Sequence, residues 1–308
     1  MPLLSFLVLV FAVYAAAAAA SMAHVGTLEP VWNVTFPGCT PVCLRSNLHV
    51  GGPGQLLVAS ERAWYIDSTA VLDAATGETV GQCAGYAAAA TDTHAAFMVR
   101  TGTTEWSSEV VAVYTFGAGG ALVPAFNVTT SSTGHDRTLV ALSATVLVVG
   151  LPDAVFDGAV LVYSLATGNL LWSLNKWSNM TAVGAAVAAN SRYVAVSTSV
   201  VNLYDVVGTV VVMDAFTGDY LWQASGQAMN DGFGGALDMT ENLLAVGAQY
   251  APLLMPSRRF GPGTVYVYRQ QQQHRNQQQQ QQYYNPQSSS PLFELYATLV
   301  GENNSDMF

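Results

Sequence analysis

Two stretches of this chain can be laid one on the other. GAVLVYSLATGNLLW (158–172) and GTVVVMDAFTGDYLW (208–222) coincide at an offset of 50 residues in Gly158/Gly208, Val160/Val210, Val162/Val212, Thr167/Thr217, Gly168/Gly218, Leu171/Leu221 and Trp172/Trp222. The same offset carries Gly184 onto Gly234 and Ala195-Val196 onto Ala245-Val246. A register kept across both halves of a unit is a structural repeat, and its period restricts the fold more than any local propensity does. Weaker copies flank the pair: AVLDAATGETV (70–80), with Gly77 in its turn; VVAVYTFGAGGAL (110–122), with Gly119 in the matching place; and GTVYVYR (263–269).

Each unit follows one pattern. A short alternating strand meets a turn whose glycine can take positive φ, which a side chain would make costly. A second strand leaves the turn with Leu and Trp, and after a loop Gly184 or Phe233-Gly234 precedes a buried apolar strand such as YVAVS (193–197) or LLAVG (243–247). Four strands in about 45–50 residues make one propeller blade, which buries its faces only against its neighbours. A β-sandwich would not repeat at this period and a β-helix coil is shorter. The expectation is an all-β chain, a β-propeller of four-stranded blades with about five blades present. The fragment VWNVTF (31–36) resembles the strand after a Thr-Gly turn, and PLFELYATLVGENNSDMF (291–308) resembles the stretch between such a turn and the next Phe-Gly. Both suit an incomplete six- or seven-bladed ring, cut within a blade at residue 308.

The two halves of the unit resemble two families. VVVMDAFTGDYLW (210–222) and AVLDAATGE (70–78) look like the tryptophan-bearing motif of pyrroloquinoline-quinone-type propeller repeats. FGGALDMTENLLAVGAQY (233–250) resembles an FG-GAP repeat of the integrin α type, with Gln249 where that family has proline. The resemblance spans roughly residues 50–308 and implies the propeller fold. Quinone-dependent dehydrogenases of this fold use adjacent cysteines, a stacking tryptophan and a bound calcium. This chain has no adjacent cysteines, and Trp172 and Trp222 fall at the blade-building position. Integrin-type calcium loops need six or more oxygens, whereas the matching loops offer Asp153 and Asp157, or Asn202 and Asp205. No cofactor or metal is therefore expected.

The first residues differ from the rest. Leu3–Ala20 is an uncharged apolar run followed by Ser21-Met22-Ala23, which reads as a secretory signal peptide over 1–23 ahead of a propeller domain over 24–308. An uncleaved anchor is the rival reading, since the run approaches bilayer-spanning length. Asn-x-Ser/Thr sequons at Asn33, Asn127, Asn179 and Asn303 agree with export, and Asn127 and Asn179 are expected in matching loops. In an oxidising compartment Cys39 and Cys43 are the disulfide candidate, leaving Cys83 buried or paired outside the chain. Residues 270–291 are mostly Gln with Ser, Asn, Tyr and Pro, too poor in apolar surface to order, and are expected to form a disordered insert.

Composition excludes other functions. A net charge of −10 repels nucleic acid, and Lys176 is the sole lysine. The five histidines are scattered, and Gly-x-Ser-x-Gly is absent. Asp73 and Asp214 precede Thr-Gly turns, where a carboxylate bonds backbone N–H groups. The blade-building set is Gly77, Gly168, Gly218, Trp172, Trp222, Phe233 and Gly234. The sequence thus points to a non-enzymatic secreted or cell-surface protein binding a protein or glycan, without membrane insertion once the leader is cleaved. A secreted quinone-dependent oxidoreductase and a structural propeller domain of a larger extracellular protein are the alternatives.

Overall fold

The computed structural model describes residues 48–301 except 52–55, 63–66, 74–75, 77, 85, 102–107, 131–137, 153–157, 176–179, 203–204, 230, 252–262 and 272–291. The leader, VWNVTF, Cys39, Cys43, Gly77, Asn33, Asn179, Asn303, Asp153, Asp157 and nearly all of the Gln-rich insert lie outside the described residues.

Five antiparallel sheets follow one another along the chain. The first contains β1 (Leu48–Gly51), β2 (Leu56–Arg62), β3 (Asp67–Asp73) and β4 (Thr79–Ala84). The second contains β5 (Tyr86–Ala90), β6 (His94–Thr101), β7 (Ser108–Phe116) and β8 (Leu122–Thr130). The third is built of β9 (Leu139–Leu142), β10 (Val146–Leu151), β11 (Ala159–Ser164) and β12 (Leu170–Leu174). In the fourth, the first strand is split into β13 (Met180–Thr181) and β14 (Val187–Ala189), followed by β15 (Tyr193–Asn202), β16 (Asp205–Asp214) and β17 (Tyr220–Ser225). The fifth comprises β18 (Phe233–Met239), β19 (Leu243–Ala248), β20 (Thr264–Gln270) and β21 (Phe293–Val300).

Within each sheet the strands pair in chain order as an up-and-down meander. The first strands β1, β5, β9, β14 and β18 lie against one another in succession. The fourth strands sit at the opposite end of each sheet, hydrogen-bonded to one neighbour. Five four-stranded blades with their first strands innermost are the expected β-propeller architecture. Phe293–Val300 is accordingly the outer strand of the fifth blade, paired to β20 across the Gln-rich insert.

The core lies between blades, as a stacked repeat requires. Ala96, Met98, Val111, Val113 and Val128 of the second blade pack on Leu147, Val149 and Leu165 of the third. The opposite face of the third blade, Val146, Val148, Val160 and Val162, packs on Val194, Val196 and Ala215 of the fourth. The fourth buries Tyr193, Ala195, Val210 and Val212 against Phe233, Leu244, Val246, Tyr266 and Phe293 of the fifth. Strands such as β10, buried along its whole length, carry continuous apolar runs because both faces meet a neighbour. No strand of the first blade packs on the fifth as neighbouring blades do, among the described residues.

Candidate functional site

The Thr-Gly turn joins one blade to the next. Gly168 and Gly218 take φ of 70° and 74°, the left-handed region that disfavours side chains. The threonine hydroxyl accepts the backbone N–H two residues on, at Thr76, Thr167 and Thr217. Asp214 Oδ1 accepts the N–H groups of Phe216 and Thr217 at 2.8 and 3.0 Å, the backbone-bonding role expected of it. Trp172, on the outer strand of the third blade, lies against the turn of the fourth. Its indole Nε1 donates to the Ala215 carbonyl at 3.0 Å, and a Cβ added at Gly218 would sit 2.9 Å from its ring.

The other blades vary this joint. Phe126 of the second blade lies against Gly168 of the third, where an added Cβ would be 3.0 Å from its ring. Sheet pairing puts Phe126, Trp172, Trp222 and Ala297 at one position, opposite Val113, Val162, Val212 and Val267. Gly81, opposite Val71, holds the same position in the first blade. The repeat offset of 49 residues predicts Val123 instead of Phe126. The turn of the second blade is a short 3₁₀ segment over Ala118–Gly120, which moves the strand on by three residues. In the fifth blade the Gln-rich insert replaces the turn, and Trp222 packs edge-on to Tyr268 and tilted to Phe293, with centroids 5.1 and 5.6 Å away. Burial pushes the Tyr268 phenol up to about 12, aided by the neighbouring Tyr266.

A second recurrent turn, not recognised in the sequence, links the first and second strands of four blades. Thr91, Ser143, Asn190 and Thr240 each use a side-chain oxygen to accept the N–H groups two and three residues on. These turns bond across blades. Thr145 donates to the Ser191 carbonyl, Asn190 Nδ2 to the Thr240 carbonyl, and Ser191 N and Oγ to the Glu241 carboxylate. One rim of the third to fifth blades is thereby tied by hydrogen bonds.

The outer strands of three blades also carry large apolar side chains that are partly exposed. Immediately after the turn, Leu170-Leu171, Tyr220-Leu221 and Leu295-Tyr296 occupy matching places on β12, β17 and β21, with 36 to 57% of each side chain's residue surface exposed. A β-bulge falls at this point in all five blades. In the third to fifth it leaves Leu171, Leu221 and Tyr296 without a ladder partner. The guanidinium of Arg269 lies over the Tyr296 ring at 3.4 Å from its centroid. Phe216, at the tip of the fourth blade's turn, is also half exposed. This band is the candidate functional surface.

The remaining sequence candidates are dispersed. Phe233 and Gly234 open β18, where Phe233 is buried against Tyr266 and Gly234 has φ of 81°. Asp231 just before them is buried and accepts from Phe233 N and Ala228 N, holding the inter-blade loop. Asn127 lies exposed within β8 rather than in a loop, because the second blade's outer strand runs on to Thr130. Cys83 is half-buried in the first blade and hydrogen-bonded to Tyr114 of the second. Burial raises its thiol; the bond to Cys83, more than burial, pushes Tyr114 up to about 12. Burial lowers His94, whose Nδ1 lies 2.8 Å from the Thr93 hydroxyl. Among the described residues no three His, Cys, Asp or Glu side chains are grouped to hold a metal ion, and no helix is long and apolar enough to cross a membrane.

These blades define a β-propeller protein. No protein-family model matches the chain, and no curated protein matches it by sequence. Among solved structures it is similar to the β-propeller domain of the Trilobed protease from Pyrococcus furiosus, at 8% identity and a TM-score of 0.46, covering 72% of this chain and 67% of that one. It is similar also to the Dos1 propeller, at 8% identity and a TM-score of 0.42, covering 69% of this chain and 52% of that one. A europium-containing methanol dehydrogenase matches at 13% identity and a TM-score of 0.36 over 57% of this chain, which spans 38% of that enzyme.

Proposed function

We propose that the chain is a non-enzymatic, exported binding protein that uses its propeller as a platform for a protein or glycan ligand. The observation that carries this reading is the exposed apolar pair repeated on three adjacent outer strands, Leu170-Leu171, Tyr220-Leu221 and Leu295-Tyr296. A single exposed leucine is ordinary, but a band of large apolar side chains at one structural position is the kind of patch that marks interaction sites. Tyrosine adds a hydroxyl to an apolar ring and suits either class of ligand. The apolar leader and the four sequons support export to the cell surface or beyond. We read the tryptophan-bearing turn and the Phe-Gly segment as repeats of quinoprotein and FG-GAP type, with Trp172 and Trp222 employed in blade joints.

The test is a triple variant, Leu170→Ser, Tyr220→Ser and Leu295→Ser, compared with the parent on a glycan array and a panel of immobilised extracellular proteins. The parent is expected to bind selectively, and the variant to lose that binding while keeping its melting temperature within a few degrees. A parent that binds neither panel, or one that oxidises alcohols when given pyrroloquinoline quinone and calcium, would overturn the proposal.

A further inference from the structure

The geometry points to Asn127 as the acceptor of an N-linked oligosaccharide that shields the outer edge of the second blade. This inference rests on the exported reading of the chain. Asn127-Val128-Thr129 lies on β8, the fourth and outermost strand of its sheet. Alternation along the strand separates its two faces: Phe126 and Val128 point to the third blade's core, while Asn127 and Thr129 are exposed on the other. Both groups that define the acceptor therefore reach solvent from one extended segment.

The repeat supplies an independent control on that placement. Asn127 pairs opposite Ala112, one step beyond Phe126. The same step beyond Trp172, Trp222 and Ala297 falls on Ser173, Gln223 and Thr298, each exposed and polar. Every blade for which the side chain is described thus gives this position to solvent, and only the second makes it a sequon. That blade carries Pro124-Ala125 where the third to fifth blades have the large apolar pair. Its outer strand has a strand partner on one side alone, and Val123 is the large apolar side chain exposed along it. Exposed edges of this kind template pairing with other chains, and bulk placed on them blocks it.

The reaction is a glycosyl transfer from a lipid-diphosphate oligosaccharide donor, catalysed by the transferase of the export compartment. The bond between the anomeric carbon and the donor phosphate breaks, a bond from Asn127 Nδ2 to that carbon forms, Nδ2 loses one proton, and the lipid diphosphate leaves with the electron pair. No oxidant or reductant enters. Expression of the full chain in a secreting eukaryotic cell tests the assignment, with peptide mass spectrometry of material from the medium. Asn127 is expected to carry glycan; N127Q and T129A should each lose one glycan's mobility increment, and T129S should keep it. N127Q should also shift to higher-order species on size-exclusion chromatography, where N303Q does not. An unmodified Asn127 in secreted protein overturns the assignment, whether or not another sequon is occupied, and leaves the export reading standing. An occupied Asn127 with no change in association overturns the shielding role. Chain retained inside the cell and unglycosylated overturns the export reading and this inference with it.

Discussion

At the scale of single residues, two of the joints between blades depend on one ring meeting one glycine. Trp172 and Phe126 are half-buried, yet each closes a contact that no other side chain replaces. Removing a core aromatic costs about 3–5 kcal/mol, and partial exposure puts these near the low end, about 3 kcal/mol. Trp172→Ala and Phe126→Ala should each lower the melting temperature by several degrees in a thermal scan. Trp172→Phe should recover the packing and lose only the bond to the Ala215 carbonyl. Unchanged melting with lost ligand binding would make Trp172 a recognition residue instead. The tryptophans were legible in the sequence because Trp172 and Trp222 keep the repeat register. Phe126 was not, because the 3₁₀ turn over Ala118–Gly120 displaces it by three residues and the ring type changes.

At the scale of elements, the two recurrent turns divide what could be read from what could not. Thr-Gly turns declare themselves, since a positive φ selects glycine. The rim turns do not, since Thr91, Ser143, Asn190 and Thr240 share only an oxygen able to accept two N–H groups, which three residue types supply equally well. Magnitudes separate the bonds within this rim. Asn190 is buried, accepts two N–H groups and donates to Thr240, so Asn190→Ala strands buried backbone donors and should cost about 1–3 kcal/mol. Glu241 makes its bonds to Ser191 in solvent, so Glu241→Gln should cost under about 1 kcal/mol. Chemical denaturation of the two variants checks the order; equal losses would mean the rim acts as a single unit. The exposed apolar band escaped the sequence reading for a related reason. Leu171 and Leu221 coincide in the repeat and read there as blade residues, and the structure shows them exposed beside a bulge.

For the whole molecule, stability is spread over four seams between five blades, and two of those seams contain a phenol pushed up to about 12. Tyr114 at the first seam and Tyr268 at the fourth both titrate at about 12 in the folded chain, against about 10 for a free tyrosine. The folded state therefore holds these protons where the unfolded chain gives them up. Their contribution is complete below pH 10 and is lost as pH rises from 10 to 12. Denaturant midpoints should fall across that window, and Tyr268→Phe should flatten the fall. An equally steep fall in the variant would assign the loss to other groups. The fold itself was legible in outline because a repeat of four strands leaves few alternatives. The handling of the fifth blade was not: there the insert removes the turn, and Tyr268 and Phe293 take over the contact with Trp222.

The ring-and-glycine joint has a direction, because at the second and third seams the ring comes from the earlier blade and the glycine from the later one. A gene coding for such an array can gain or lose whole units by unequal crossing-over and still leave a ring facing a glycine, provided the exchange keeps the 50-residue phase. Removing the second or the fourth blade is the exception. Without the second blade, Gly81 would stand where Phe126 does now; without the fourth, Trp172 would stand where Trp222 does, against Tyr268 and Phe293, and lose the Ala215 carbonyl that receives its indole N–H. An added copy of the third blade would find a partner on either side, its Gly168 meeting the Trp172 before it and its Trp172 the Gly218 after it.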